Sequence, residues 1–147
     1  MNKPKYLYTS EDDLLVFQFT SIGTKGQIKK MVTYLYTGTE NVYNLGFGDL
    51  NEETNEIDDL SVTNNGDSEK VLATVASTIL TFTKKYPNAL IVATGSTAVR
   101  TRLYRMGISN NLQEIQINFS VYGFTEQGEW EKFVVGKNYE AFLITKK

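Results

Sequence analysis

The sequence predicts an α+β fold: a mostly antiparallel, twisted sheet, packed by one long helix and accompanied by a second, short helix. The predicted order is ββββ-α-β-α-ββ(β). Three observations carry this. Four strand-like runs, separated by glycine-bearing or polar turns, fill the first 64 residues. One strong helical periodicity follows them. Aromatic residues are plentiful, with nine Tyr and eight Phe, as suits a pleated surface.

The elements follow in order. In "LLVFQFT", residues 14–20, Leu15, Phe17 and Phe19 alternate with Val16, Gln18 and Thr20, the pattern of a half-buried strand. Gly23 and Gly26 mark the next turn, and "QIKKMVTYLYTG" is a second strand ending near Gly38. "VYNLGFGDL" is a third, where Gly46 and Gly48 flank Phe47 and point to a bulge or a close backbone approach. "EIDDLSVTN" reads as its hairpin partner. The helix then starts at a cap on Asp67 or Ser68 and stops before Pro87. Its apolar stripe is Leu72, Val75, Ile79, Phe82 and Tyr86. "ALIVATG" is a short strand buried on both faces. A βαβ crossover through residues 56–94 is one way to connect these pieces. Thr97–Met106 reads as the short helix, closed by Gly107 at C′. "EIQINFSVYGF", "EWEKFVVG" and "YEAFLIT" supply the last strands, with Trp130 partly buried on an edge.

At 147 residues, with 41% hydrophobic and 22% charged residues, the chain reads as one globular domain spanning 1–147. It has no cysteine and no histidine. That excludes disulfides, Cys or His zinc sites, cysteine nucleophiles and histidine acid/base chemistry. No metal or cofactor is expected. No apolar run approaches the roughly 18 residues that span a bilayer. The N-terminus lacks an apolar leader core, so a cytoplasmic protein without membrane contact is expected. The net charge of −2 hides an asymmetry. Residues 1–69 hold five lysines against twelve carboxylates, whereas residues 70–147 hold ten basic residues against five carboxylates.

All of the chain's arginine lies in "GSTAVRTRLYRMGI", residues 95–108. On a helix, Val99, Leu103 and Met106 share one side and read as the buried face. Arg100 and Tyr104 form an i, i+4 pair on the opposite side, Arg105 points in a third direction, and Arg102 flanks the apolar stripe. Two readings compete. In the functional one, the helix start and the hydroxyls of Ser96 and Thr97 favour an anion. Arg100 then forks onto a phosphate or carboxylate, Tyr104 stacks on a base, and Arg102 and Arg105 are further candidate ligand residues. In the structural one, Ser96 and Thr97 are ordinary caps, the arginines pair with the acidic run Asp49–Asp59, and Tyr104 packs its ring. The stretch is neither a P-loop nor a dinucleotide fingerprint.

A secondary candidate is the ribbon of Lys25, Lys29 and Lys30 with Tyr34 and Tyr36, a basic and aromatic mixture that suits single-stranded nucleic acid. The competing reading makes the tyrosines plain strand formers. The acidic run fails as a calcium loop, because Thr54 stands where Gly is needed and Leu60 where Glu is needed. It reads as a solvated hairpin tip.

"VYNLGFGDL", "IDDLSVTNNGDSEKVLATVA", "GSTAVRTRLYRMGI" and "GKNYEAFLITKK" together resemble a family of small, uncharacterised proteins of Bacteroidetes-type bacteria, over nearly the whole chain. The resemblance implies a bacterial, single-domain, stand-alone protein and supplies no catalytic residue. In layout, four strands followed by a helix, the chain is also similar to single-stranded nucleic-acid-binding domains of the Whirly and PC4 type.

The expected function is a non-enzymatic binding module for an anionic ligand, single-stranded nucleic acid or a nucleotide, at the N-terminus and polar face of helix 97–106. The alternative is a protein-interaction partner in a small bacterial two-gene system. The third is an enzyme acting on a phosphorylated small molecule, for which no acid, base and nucleophile assemble from local sequence.

Overall fold

Alternating apolar residues draw the first part of the chain into strands. The structure is a computed structural model describing residues 3–58, 63–95 and 97–147. It begins with β1 (Thr9–Ser10), β2 (Val16–Gly23), β3 (Gly26–Tyr36), β4 (Val42–Asn51) and β5 (Glu56–Ile57). Then come α1 (Ser68–Lys85), β6 (Leu90–Ala93), α2 (Ala98–Asn110) and α3 (Leu112–Asn118). β7 (Phe119–Phe124), β8 (Trp130–Lys132) and β9 (Ala141–Lys146) complete the chain. Among the described residues the sheet has nine strands, in the order β1-β2-β3-β4-β6-β9-β7-β8, with β5 paired to β4 off that path. The α+β class and the mostly antiparallel sheet are as the sequence predicts. The single parallel pair is β4 with β6, and α1 lies in its crossover.

One face of the sheet carries a continuous apolar row. Phe17 pairs with Val32, Val32 with Phe47, Leu45 with Ala93, Ala93 with Phe142, and Ile91 with Ile144, which pairs in turn with Val121. All of these are buried in one cluster with Val71, Val75, Ile79 and Phe82 of α1. The stripe expected on α1 is therefore the one it buries, with Tyr86 packed at its margin. Tyr34 stacks on Phe82 at 4.0 Å between ring centroids, and its hydroxyl is hydrogen-bonded to Thr78 at 2.8 Å. That burial pushes the Tyr34 phenol well above its ordinary pKa.

Four elements differ from expectation. Residues 112–118 are helical where "EIQINF" alternates like a strand. A strand would put Ile115 and Ile117 on one face, but Ile115 is buried and Ile117 is 71% exposed, while Ile115 and Phe119 bury together at helical spacing. Helix α2 continues through Gly107 to Asn110. Gly107 is a contact rather than a stop, because a Cβ there would lie 3.2 Å from Leu72 of α1. The fourth strand is only two residues long, and residues 59–62 of its expected span lie outside the described residues. Asp67 does occupy the N-cap of α1, but its carboxylate bonds no helix N–H. It accepts instead from the hydroxyls of Tyr6 and Ser21, both at 2.5 Å. Burial raises the Asp67 pKa. The hydrogen bonds from Ser21 and Tyr6, its own N–H and the Lys30 charge outweigh that and leave it below the ordinary value.

Candidate functional site

Helix α2 sits inside out relative to its expected amphipathicity. Val99 is 69% exposed and Leu103 and Met106 are only partly covered, whereas Arg100, Tyr104 and Ile108 are buried. The reason is a gap in the β4 ladder. Strand β6 pairs with β4 only up to Leu45, and β5 pairs with it only from Leu50. The main-chain groups of Phe47 thus face no strand on that side, and buried peptide groups need partners. Helix α2 supplies them. The Tyr104 hydroxyl accepts from the Phe47 N–H at 3.1 Å and donates to the Leu45 carbonyl at 3.4 Å. The Arg100 guanidinium donates to the Phe47 carbonyl at 3.2 Å and to the Asp58 carbonyl. Burial raises the Tyr104 pKa, against the lowering effects of the Phe47 N–H and the Arg100 charge.

Gly48 admits this arrangement. A Cβ there would lie 2.7 Å from Ile57 and 3.3 Å from the Arg100 guanidinium. The Gly46–Phe47–Gly48 triplet is therefore a close backbone approach, as expected. The sequence places Arg100 and Tyr104 in the site. The structure separates them from the solvent-facing arginines and gives them the backbone of β4. Arg100 meets Phe47 and Asp58 through carbonyls rather than through a carboxylate.

Arg102 and Arg105 are left on an open cleft of about 530 Å³. It lies where the C-terminal end of β6 runs into α2. Gly95, Thr97, Ala98 and Thr101 border it on that side. The turn is tight, because a Cβ on Gly95 would lie 2.3 Å from the Thr101 nitrogen. Thr97 is the N-cap in extended conformation, and its hydroxyl accepts from the Arg100 N–H at 3.2 Å. Its hydroxyl is thus engaged as a cap, and the Ala98 N–H is one of the helix-start donors that lack an acceptor within the helix. Ser96 lies outside the described residues. Arg105 donates to the side-chain oxygen of Asn138. Arg102 is exposed and has no hydrogen bond or ion pair among the described residues.

The opposite wall comes from far along the chain: Glu126 in the β7–β8 turn, and Asn138, Tyr139 and Glu140 before β9. No local motif announces them, and only the β9-β7-β8 order brings them to α2. Tyr139 is fixed by its ring lying over Gly123 and by a hydroxyl bond of 2.8 Å to Glu131. Burial and the Glu131 carboxylate raise its pKa. The hydrogen bonds from Lys137 and Tyr139 hold the Glu131 carboxyl low.

The lysine and tyrosine ribbon is divided along β3: Lys29 lies on the other pleat face, Lys25 precedes the strand, and Tyr36 shares the face of Lys30 and Tyr34 but sits at the exposed strand end. Lys30 and Tyr34 fall on the helix-covered face, at 1% and 0% exposure. Lys30 donates to Asp49 at 2.5 Å and to the Thr63 carbonyl at 2.9 Å, so it is an internal cation. Lys25, Lys29 and Tyr36 are exposed, and Lys29 pairs with Glu52 at 3.2 Å. The acidic run is split in the same way. Glu52 and Glu53 are at the exposed hairpin tip, Asp49 is buried against Lys30 and Thr63, and Asp59 lies outside the described residues. Among the described residues no group of three or more acidic side chains could hold a metal ion. No helix there is long and apolar enough to cross a membrane.

One family model matches the chain over residues 2–147, that of the family of unknown function DUF6934. No curated protein matches it. No solved structure matches it.

Proposed function

The chain belongs to this family of unknown function, and we propose that it is a non-enzymatic module that binds a nucleotide or a short single-stranded nucleic acid in the α2 cleft. The observation that carries the reading is Arg102. It is a guanidinium without a partner among the described residues, in the second turn of a 13-residue helix, beside Arg105, whose partner is neutral. Guanidinium forks and helix N–H groups both recognise phosphate. Glu126 and Glu140 face them and can accept from the amino or hydroxyl groups of a base and ribose. Two carboxylates opposite two arginines suit a ligand with one or two phosphates better than a long polyanion. The proposed setting is a bacterial cytoplasm.

The test is fluorescence anisotropy with a labelled trinucleotide and competition by nucleoside monophosphates, at low salt. The double variant Arg102→Ala plus Arg105→Ala loses affinity by about tenfold or more, and wild-type binding weakens as salt rises. Equal binding by both proteins, or binding by neither, rejects the reading. A second reading, contact with a protein partner through the sheet edge, is favoured by β8. There Trp130 is 46% exposed, and Val134 and Val135 just beyond it are 53% and 60% exposed. Co-elution with the product of a neighbouring gene, abolished by Trp130→Ser, would support it.

A further inference from the structure

The partly covered stripe of α2 borders a second cavity, of about 290 Å³, on the other side of Arg102 from the cleft. That is the small end of the range of ligand pockets. Phe47 of β4, Val71 and Leu72 of α1, and Leu103 and Met106 of α2 supply apolar walls, with Val99 at the margin. Apolar side chains left around such a space gain when an apolar body displaces water from it. Lys30, Asn65 and the half-buried Asp67 at the cavity are already satisfied, Asn65 by Ser21, Gly26 and Lys25. Lys30 is held by Asp49 and Thr63, and Asp67 by Tyr6 and Ser21. Arg102 is different: it borders the cavity with its charge uncompensated among the described residues.

We propose that this cavity binds a small amphipathic carboxylic acid. Its acyl or aryl tail lies among Phe47, Leu72, Leu103 and Met106, and its carboxylate lies on Arg102. A guanidinium takes a carboxylate through two parallel hydrogen bonds, which a single exposed cation beside an apolar hollow is well placed to form. The site adjoins the nucleotide cleft and shares Arg102 with it. Arg102 borders both, whereas Arg105 borders only the cleft.

The experiment is an NMR titration of the ¹⁵N-labelled full chain with octanoate, and separately with octan-1-ol, which keeps the tail and removes the charge. Wild type gives saturable shifts centred on Leu72, Leu103 and Met106, with octanoate bound about tenfold tighter than the alcohol. Arg102→Met removes that preference and leaves octanol unchanged. Leu103→Trp, which fills the hollow, weakens both, and Arg105→Ala changes neither. The proposal is overturned if neither probe saturates, if the shifts centre elsewhere, or if Arg102→Met keeps the preference for octanoate. Because Arg105→Ala acts on nucleotide binding alone, failure of this proposal and failure of the cleft are read separately.

Discussion

Helices α1 and α2 lean on the same sheet face by opposite means. α1 follows its sequence pattern: Val75, Ile79 and Phe82 meet the sheet at helical spacing with Tyr86 at the margin, and aromatic stacking reinforces them. α2 turns an arginine and a tyrosine inward and leaves its valine out. The difference is the substrate each helix meets. α1 lies over completed strand pairs whose side chains are apolar. α2 lies beside a strand with open hydrogen bonds, and an apolar side chain there would leave the Phe47 N–H and carbonyl buried without partners. The cost of leaving both buried peptide groups unmet, about 2–6 kcal/mol together, exceeds the gain from burying one more valine, about 1.5 kcal/mol.

That comparison can be broken or sharpened by substitution. The largest effect belongs to α1, where Phe82→Ala destabilises by about 3–5 kcal/mol in urea unfolding, as for other buried aromatics. Next is Arg100→Met, which keeps most of the stem and removes both hydrogen bonds. It costs about 1–3 kcal/mol, because the buried Phe47 carbonyl loses its donor and the part-buried Asp58 carbonyl loses one. A stability within about 0.5 kcal/mol of wild type would show that α2 is held by apolar area after all. Tyr104→Phe, which loses only the hydroxyl, costs about 1–2 kcal/mol, and hydrogen exchange of the Phe47 amide accelerates. Val99→Ser is within about 0.5 kcal/mol of wild type, the reverse of what helical periodicity alone predicts.

The smallest effect is a pH dependence at the start of α1. Asp67 has a folded-state pKa below its ordinary 3.8. Its contribution is therefore fully present above the unfolded value and is lost as pH falls through the lower, folded one. Acid titration followed by circular dichroism shows a shallower loss below about pH 4 in Asp67→Asn than in wild type.

Much of the fold was legible before the structure. The class, the long helix, its stripe and its stop at Pro87, and the close approach at Gly46–Gly48 all follow from short-range periodicity and glycine chemistry. The α3 helix was not legible, since "EIQINF" satisfies a two-residue period as well as a helical one over so few positions. Within the candidate site, Thr97 as a cap and the concentration of arginine could be read. The division of labour among Arg100, Arg102 and Arg105 could not.

The sequence by itself determined that three guanidiniums radiate from one capped helix, because residue identity and a 100° step require it. Only the tertiary structure decided which of them is spent inside. The gap between β5 and β6 on the β4 edge is left between a local hairpin and a parallel pairing of distant segments, Val42 with Leu90, and it takes Arg100 and Tyr104. The same packing leaves Arg102 without a partner among the described residues, since the walls it faces come from residues 126–140 on one side and from β4 and α1 on the other. Periodicity records which side of a helix is apolar. It does not record whether the surface waiting for that helix needs carbon or hydrogen bonds.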